Sequence, residues 1–304
     1  AMVPCAEMVR FGKNGTDATS AAIRLARAFT GKDHVAVCGY HGWQDWYIGS
    51  TTRDLGVPKA VKNLTHIFEY NSLDSLEMLL NQYEHQIAAV IMEPVNVNLP
   101  TPGFLEGVQK LAKKHGAVFI FDETITGFRF ANGGAQEYFG VTPDLACFGK
   151  GIANGYPLSA IVGRKDIMMR MEDIFFSSTF GGETLSLAAA NAVLNKLQTE
   201  PVIPHFWSLG KQLQEGLNTL IGTFNFNEIF SVGGYDVWSF FNINDTSFAR
   251  ANELKTLMIQ EMFQQGVLNL GVHNSSYAHT PDMIQRLVDA YRYFFSKVEQ
   301  AKKE

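Results

Sequence analysis

The sequence predicts an α/β protein with a large domain on a three-layer, mostly parallel sheet, residues 1–200, and a smaller C-terminal α+β domain, residues 201–304. Three observations predict this. From residue 12 to about 165, short apolar runs alternate with helical patterns, as successive βαβ units do. Those runs are nearly continuous in hydrophobicity, so helices cover both of their faces. After Pro201 and Pro204 the alternation gives way to long helices around two aromatic-rich strands.

Taken in order, Ala1 and Met2 read as a cloning remnant. Residues 3–11 read as the end of one element entering a glycine turn, as though the chain opened inside a larger domain. Residues 16–29 place Ala18, Ala22, Leu25, Ala26 and Phe29 three and four apart behind Thr16 as N-cap, which predicts a helix. Strands are expected at 34–39 (HVAVCG), 87–93 (IAAVIME), 117–122 (AVFIFD), 144–149 (DLACFG) and 158–162 (LSAIV). Phe104, Val108 and Leu111 mark a helix over 104–115 that Gly116 ends, and 184–197 reads as a buried helix. The second domain reads as a helix at about 206–221, two strands within 227–242, a helix over about 247–265, a short strand near 267–270 and a closing helix over 282–298. That last helix carries Met283, Leu287, Tyr291, Phe294 and Val298 on one side.

Composition narrows the function. Lys and Arg total 25 against 30 Asp and Glu, a net charge of −5 that gives no case for nucleic-acid binding. Cys5, Cys38 and Cys147 are too few and too scattered for a disulfide framework or a zinc site, so no metal and a reducing, cytoplasmic setting are expected. No apolar run reaches membrane-spanning length, and no signal-peptide layout is present.

Five motifs could carry chemistry. Asn14-Gly15-Thr16-Asp17-Ala18 feeds a helix N-terminus, where free N–H groups favour an anion such as phosphate; plain capping is the commoner use. Asp122 ends the strongest strand, followed by Glu123 and Thr124; ligands of α/β sheets bind at such carboxyl ends, and a carboxylate there needs a cation, a metal or a protonated ring nitrogen. Glu93 repeats that geometry before Pro94. Phe148-Gly149-Lys150-Gly151 lets the backbone bring an amine close to a ligand, and an apolar setting suits Schiff-base chemistry. Ser178-Thr179-Phe180-Gly181-Gly182-Glu183-Thr184 is a possible second anion contact. The aromatic run Tyr40-His41-Gly42-Trp43-Gln44-Asp45-Trp46-Tyr47 offers faces for a planar cofactor or a sugar, or simply packing.

A phosphate cradle, a stacking aromatic, an acid for a ring nitrogen and a glycine-flanked lysine on successive strand ends are the parts that hold pyridoxal 5′-phosphate (PLP). With these motifs the chain resembles the class III aminotransferases of fold type I, within them the glutamate-1-semialdehyde 2,1-aminomutase-like group. The stretches that carry the resemblance are RFGKNGTDATSAAIRLAR from Arg10, GYHGW from Gly39, AAVIMEP from Ala88, FDETITGFR from Phe121, DLACFGKGIANGYP from Asp144 and STFGGE from Ser178. The resemblance implies that Lys150 forms the Schiff base and shuttles a proton at the substrate α-carbon. It implies that Asp122 keeps the pyridine nitrogen protonated, Tyr40 stacks on the ring beside His41, Thr124 lies against it and Glu93 sits near the reacting groups. Asn14, Gly15 and Thr16 would bind the phosphate, with Thr179 reaching it from the neighbouring subunit of a homodimer.

The resemblance also implies an N-terminal segment ahead of the first motif, so a truncated PLP-binding chain without full activity stands as one alternative. Class III enzymes that bind an α-carboxylate usually carry a late arginine, and Gly271-Val272-His273-Asn274-Ser275-Ser276-Tyr277-Ala278-His279 has none. The expected activity is amino-group transfer between a small-molecule amino donor and a carbonyl acceptor, with a sugar or polysaccharide precursor as a candidate. Trp43, Trp46 and Tyr47 are candidate pocket residues for it. A glutamate-1-semialdehyde-type aminomutase is the other alternative.

Overall fold

The computed structural model describes residues 2–302; Ala1 of the supposed remnant and the final Lys303 and Glu304 of the second expected domain lie outside the described residues. The chain divides into two compact units, one ending at Glu200 and one beginning at Pro201.

The first unit runs β1 (Met8–Gly12), α1 (Gly15–Thr30), β2 (His34–Cys38), α2 (Asp45–Ile48), α3 (Lys59–Lys62), β3 (Thr65–Ile67), α4 (Leu73–Gln82), β4 (Ile87–Met92), α5 (Phe104–Lys114), β5 (Val118–Asp122), α6 (Ala135–Phe139), β6 (Leu145–Phe148), β7 (Ser159–Gly163), α7 (Lys165–Met168) and α8 (Thr184–Thr199). A single 3₁₀ turn, Lys150–Ile152, follows β6. Among the described residues the strands form one seven-stranded sheet in the order β1-β7-β6-β5-β4-β2-β3. Strands β3, β2, β4, β5 and β6 are mutually parallel, while β7 and β1 close one edge antiparallel.

The central strands are apolar throughout because both faces are covered; every residue of β4, β5 and β6 is buried. Helix α1 buries a narrow stripe of Ala18, Ala22, Leu25 and Ala26 in the cluster that holds Ile91, Ile120, Cys147 and Ile161. Alanines on that stripe keep the helix close to the sheet, and Gly31, at φ 69, ends it. The parallel strands share one carboxyl edge, so the segments after β2, β4, β5 and β6 converge there. The chain leaves β2 toward β3 and leaves β4 toward β5, in opposite directions across the sheet. The crevice between β2 and β4 is thus the switch point where an α/β sheet accepts a ligand.

The second unit runs α9 (Val202–Thr223), β8 (Phe230–Tyr235), β9 (Trp238–Ile243), α10 (Ala251–Gln264), β10 (Val272–His273) and α11 (Pro281–Ala301). Its strands form an antiparallel sheet, β10-β9-β8. Leu213, Leu217, Met258, Tyr291, Phe294 and Phe295 fill its core. Each such side chain contributes about 1.5–3 kcal/mol by burial.

Several features depart from the expected layout, among them α8, which was expected to be buried but buries Ser186, Ala190 and Leu197 and leaves Leu185 71% exposed. The short strand lies at Val272–His273 rather than 267–270, because Gly271, at φ 87, turns the chain before pairing with β9 begins. Strand β3 and helix α4 were not expected. In addition, residues 8–12 of the opening segment form an edge strand paired with β7. Among the described residues no helix is long and apolar enough to cross a membrane.

Candidate active site

A cleft of about 330 Å³ opens at the carboxyl edge of the sheet, lined among others by Lys13, Asn14, Gly15, Thr16, Tyr40, His41, Trp43, Glu93, Asp122, Thr124 and Lys150. Every residue expected to bind the cofactor or act in catalysis, except Thr179, lines this one cleft. Thr179 sits on an exposed loop of the same unit.

Asp122 is the last residue of β5 and only 5% exposed. Its Oδ1 accepts the Thr124 N–H at 3.1 Å, and its Oδ2 pairs with His41 Nδ1 at 2.9 Å. His41 is itself sealed, its Nε2 facing the Cys38 carbonyl oxygen at 3.2 Å and its ring stacked near Trp46 and edge-on to Tyr47. The carboxylate is therefore held in a fixed orientation with its remaining lone pairs toward the cleft. Histidine 41 enters the site as a buried partner of the acid, a role that residue spacing alone does not show.

Lys150 begins the turn after β6 with φ 40, a left-handed conformation that a lysine adopts at a cost. Its side chain is exposed. Glu93 faces it from the end of β4 and accepts the Tyr40 N–H at 3.0 Å. Burial first, and the neighbouring Asp122 charge second, push the Glu93 carboxyl up to about 7 from its usual 4.5. Between about pH 4.5 and 7 the folded protein thus holds a proton that the unfolded chain has released. Glu93 accordingly costs stability increasingly as pH rises through that window, and the cost is complete above it. Denaturant titrations should show Glu93→Gln gaining more stability over wild type at pH 8 than at pH 5; an equal gain at both would contradict the raised value.

At the other wall, α1 starts with Gly15 and Thr16. Asp17 accepts the N–H groups of Lys13 and Asn14, at 3.2 and 2.7 Å, and shapes the turn. The Asn14 carbonyl oxygen takes the Asp17 N–H at 2.9 Å, which leaves the N–H groups of Gly15 and Thr16 as the first-turn donors without an acceptor in the helix. Among the described residues, the Thr16 and Thr124 hydroxyl oxygens are buried without a hydrogen-bond partner. A Cβ on Gly15 or Gly149 would come within 3.0 or 3.2 Å of the Thr124 methyl, so the glycines leave the cradle open. Gly42, at φ 105, lets the aromatic loop pass where a Cβ would lie 2.3 Å from Thr16 Oγ1.

Two expectations are corrected. Trp46 and Tyr47 are not pocket residues: both are buried, Trp46 donating to Ser20 Oγ and Tyr47 to the Gly39 carbonyl, so only Trp43 of the three lines the cleft. The glycine turn before α8 is not an open anion site on its own chain. The Glu183 carboxylate already occupies that helix end, accepting the N–H groups of Leu185 and Ser186.

Glu123, between the two cleft residues Asp122 and Thr124, points the other way into the core. Fully buried, it accepts from Ala135 N, Gln136 N, Gln136 Nε2 and Thr126 Oγ1 at 2.6–3.1 Å. Glu123→Leu leaves these donors without an acceptor and should cost about 3–5 kcal/mol. At a few degrees per kcal/mol, calorimetry should record a melting temperature on the order of 10 °C lower; a fall of only a degree or two would show that the anchor is dispensable.

A model of the aminotransferase class-III family matches residues 1–287. The chain belongs to the class-III aminotransferase family. This class-III chain is 44% identical over 239 residues to the glutamate-1-semialdehyde 2,1-aminomutase of Syntrophobacter fumaroxidans, a match covering 73% of this chain and 55% of that protein. It is 32% identical over 308 residues to the 3-aminobutyryl-CoA aminotransferase of Cloacimonas acidaminovorans, covering 98% of this chain and 73% of that one. It superposes on the PLP internal aldimine form of the Sphingopyxis sp. MTA144 FumI protein with a TM-score of 0.92 and 27% identity, over 100% of this chain and 74% of that one. The chain thus spans just over half to about three quarters of the length of these relatives. The class-III aminotransferase chain shares their mostly parallel sheet of fold type I.

Proposed function

We propose that this chain is a PLP-dependent enzyme that moves an amino group from a small-molecule donor to a carbonyl acceptor. The donor's C–N bond is replaced by a carbonyl while the acceptor's carbonyl becomes an amine, so oxidation and reduction balance within the pair. One observation carries the reading: two buried, unpartnered hydroxyls, Thr16 in the first turn of α1 and Thr124 just past β5, share a cleft with a fixed strand-end carboxylate and a glycine-flanked lysine. These residues fit PLP group by group, and the FumI protein, named above in its PLP internal aldimine form, supports the same cofactor here.

Bound PLP supplies an electron sink for charge that develops at the substrate α-carbon. Asn14, Gly15 and Thr16 are assigned to its phosphate through backbone N–H groups and the Thr16 hydroxyl. Asp122, kept oriented by Thr124 N and His41, is assigned the proton of the ring nitrogen. Tyr40 offers its ring face, and Thr124 its hydroxyl and methyl. Lys150 is assigned the covalent link and then, once released, the transfer of a proton at the substrate α-carbon. Glu93 stands beside that lysine with a carboxyl that changes charge near neutrality. Thr179, exposed and away from its own cleft, is assigned to the cleft of a second copy in a homodimer.

The aminomutase named among the relatives favours a second reading, in which one substrate is both donor and acceptor. The test is the absorbance of the protein incubated with PLP, then with glutamate, 4,5-diaminovalerate or amino sugars. A visible band that one amine bleaches supports transfer and identifies the donor class. Conversion of a lone substrate with no second amine supports the aminomutase. No band after incubation would overturn the PLP reading.

A further inference from the structure

We propose that Lys13 is a positioning residue whose ammonium fastens the loop carrying Thr179 to the turn that enters α1. Lys13 lines the cleft, yet its Nζ donates to the Pro157 carbonyl oxygen at 2.9 Å and to Glu183 Oε1 at 2.8 Å. Both partners of the ion pair are largely shielded, with side chains 14% and 27% exposed. Lys13 in turn holds the Glu183 carboxyl down to about 2 while Glu183 caps α8. One ammonium thus joins segments that are 144 and 170 residues away along the chain.

The loop depends on such ties because it buries little. Ile174 and Phe176 pack against the core of the first unit, but Phe175 and Phe180 are 83% and 66% exposed, so no buried apolar side chain anchors residues 177–183, the part that carries Thr179. Upstream of Thr179, Arg24 donates to the Phe175 carbonyl oxygen at 2.7 Å and Arg10 to that of Phe176 at a long 3.4 Å. Downstream, the side-chain fastening is Lys13 on Glu183. Thr179 lies between the two sets, and Lys13 is directly followed by Asn14, Gly15 and Thr16. Loop placement and phosphate turn are therefore tied at one residue. The tie stands on geometry alone; its consequence for the cofactor rests on the proposed PLP reading.

Hydrogen exchange by mass spectrometry over 174–186, with PLP titrations, tests this on the full chain. Lys13→Met should speed exchange there roughly threefold or more while β4 and β5 stay as protected as in wild type. The Kd for PLP should rise roughly three- to fivefold, the worth of a partly screened ion pair. Lys13→Arg, which keeps a charged donor, should restore both, and Glu183→Gln, which keeps the cap but not the charge, should reproduce the loss. Unchanged exchange in Lys13→Met would overturn the proposal. So would weakened PLP binding in Lys13→Met beside wild-type behaviour in Glu183→Gln, which would make Lys13 a direct ligand. If wild type retains no PLP, the functional reading fails, and the exchange data still decide the tie.

Discussion

Lys150→Ala is expected to yield a folded protein that no longer holds PLP covalently and whose amino-group transfer falls by at least about 10³-fold. The fold should survive because the side chain is exposed and fills no core position. Alanine keeps a Cβ at φ 40, so the backbone cost of this position is neither relieved nor increased. No second amine substitutes for it: Lys13, the other lysine of the cleft, is engaged by Glu183 and Pro157. Borohydride reduction followed by peptide mass analysis should find PLP fixed to Lys150 in wild type and nowhere in the variant. A variant that keeps the visible band or a reducible adduct would remove Lys150 from its assigned role.

The parts of the fold that were legible in the sequence are those with long-range consequences written locally. The strands at 87–93 and 117–122 announce themselves because helices cover both faces, which forces continuous apolar runs. Once the sheet is parallel, Asp122 and Lys150 must share its carboxyl edge, so the cleft could be approached from spacing and from family resemblance together. Strand β3 escaped because it has only three residues and leaves Ile67 61% exposed, too short and too half-wet to show a pattern. Helix α4 did carry a signal, Ser72 as N-cap ahead of Leu76 and Leu80, which spacing could have found.

What no local pattern shows is pairing between distant segments. His41 meets Asp122 across 81 residues and Lys13 meets Glu183 across 170. The aromatic run shows the limit from the other side. Trp43, Trp46 and Tyr47 look alike as sequence, yet a four-residue helix, α2, turns the latter two inward and leaves Trp43 in the cleft.

Asp122→Asn isolates charge from shape. The amide oxygen can still accept the Thr124 N–H. Its NH₂ then faces His41 Nδ1, which accepts once the imidazole carries its proton on Nε2 toward the Cys38 carbonyl oxygen. The pocket therefore survives with one proton relocated, and PLP should still bind and show its visible band. What disappears is the negative charge assigned to keep the ring nitrogen protonated, and with it the capacity to accept electrons from the α-carbon. The single-turnover rate with a competent amine should fall by about 10²-fold or more, the scale for losing one preorganised electrostatic partner of a developing charge. A rate within a few-fold of wild type would show that Asp122 holds the ring by shape alone. Loss of PLP binding at an unchanged melting temperature would show instead that the charge is spent on binding rather than on the chemical step.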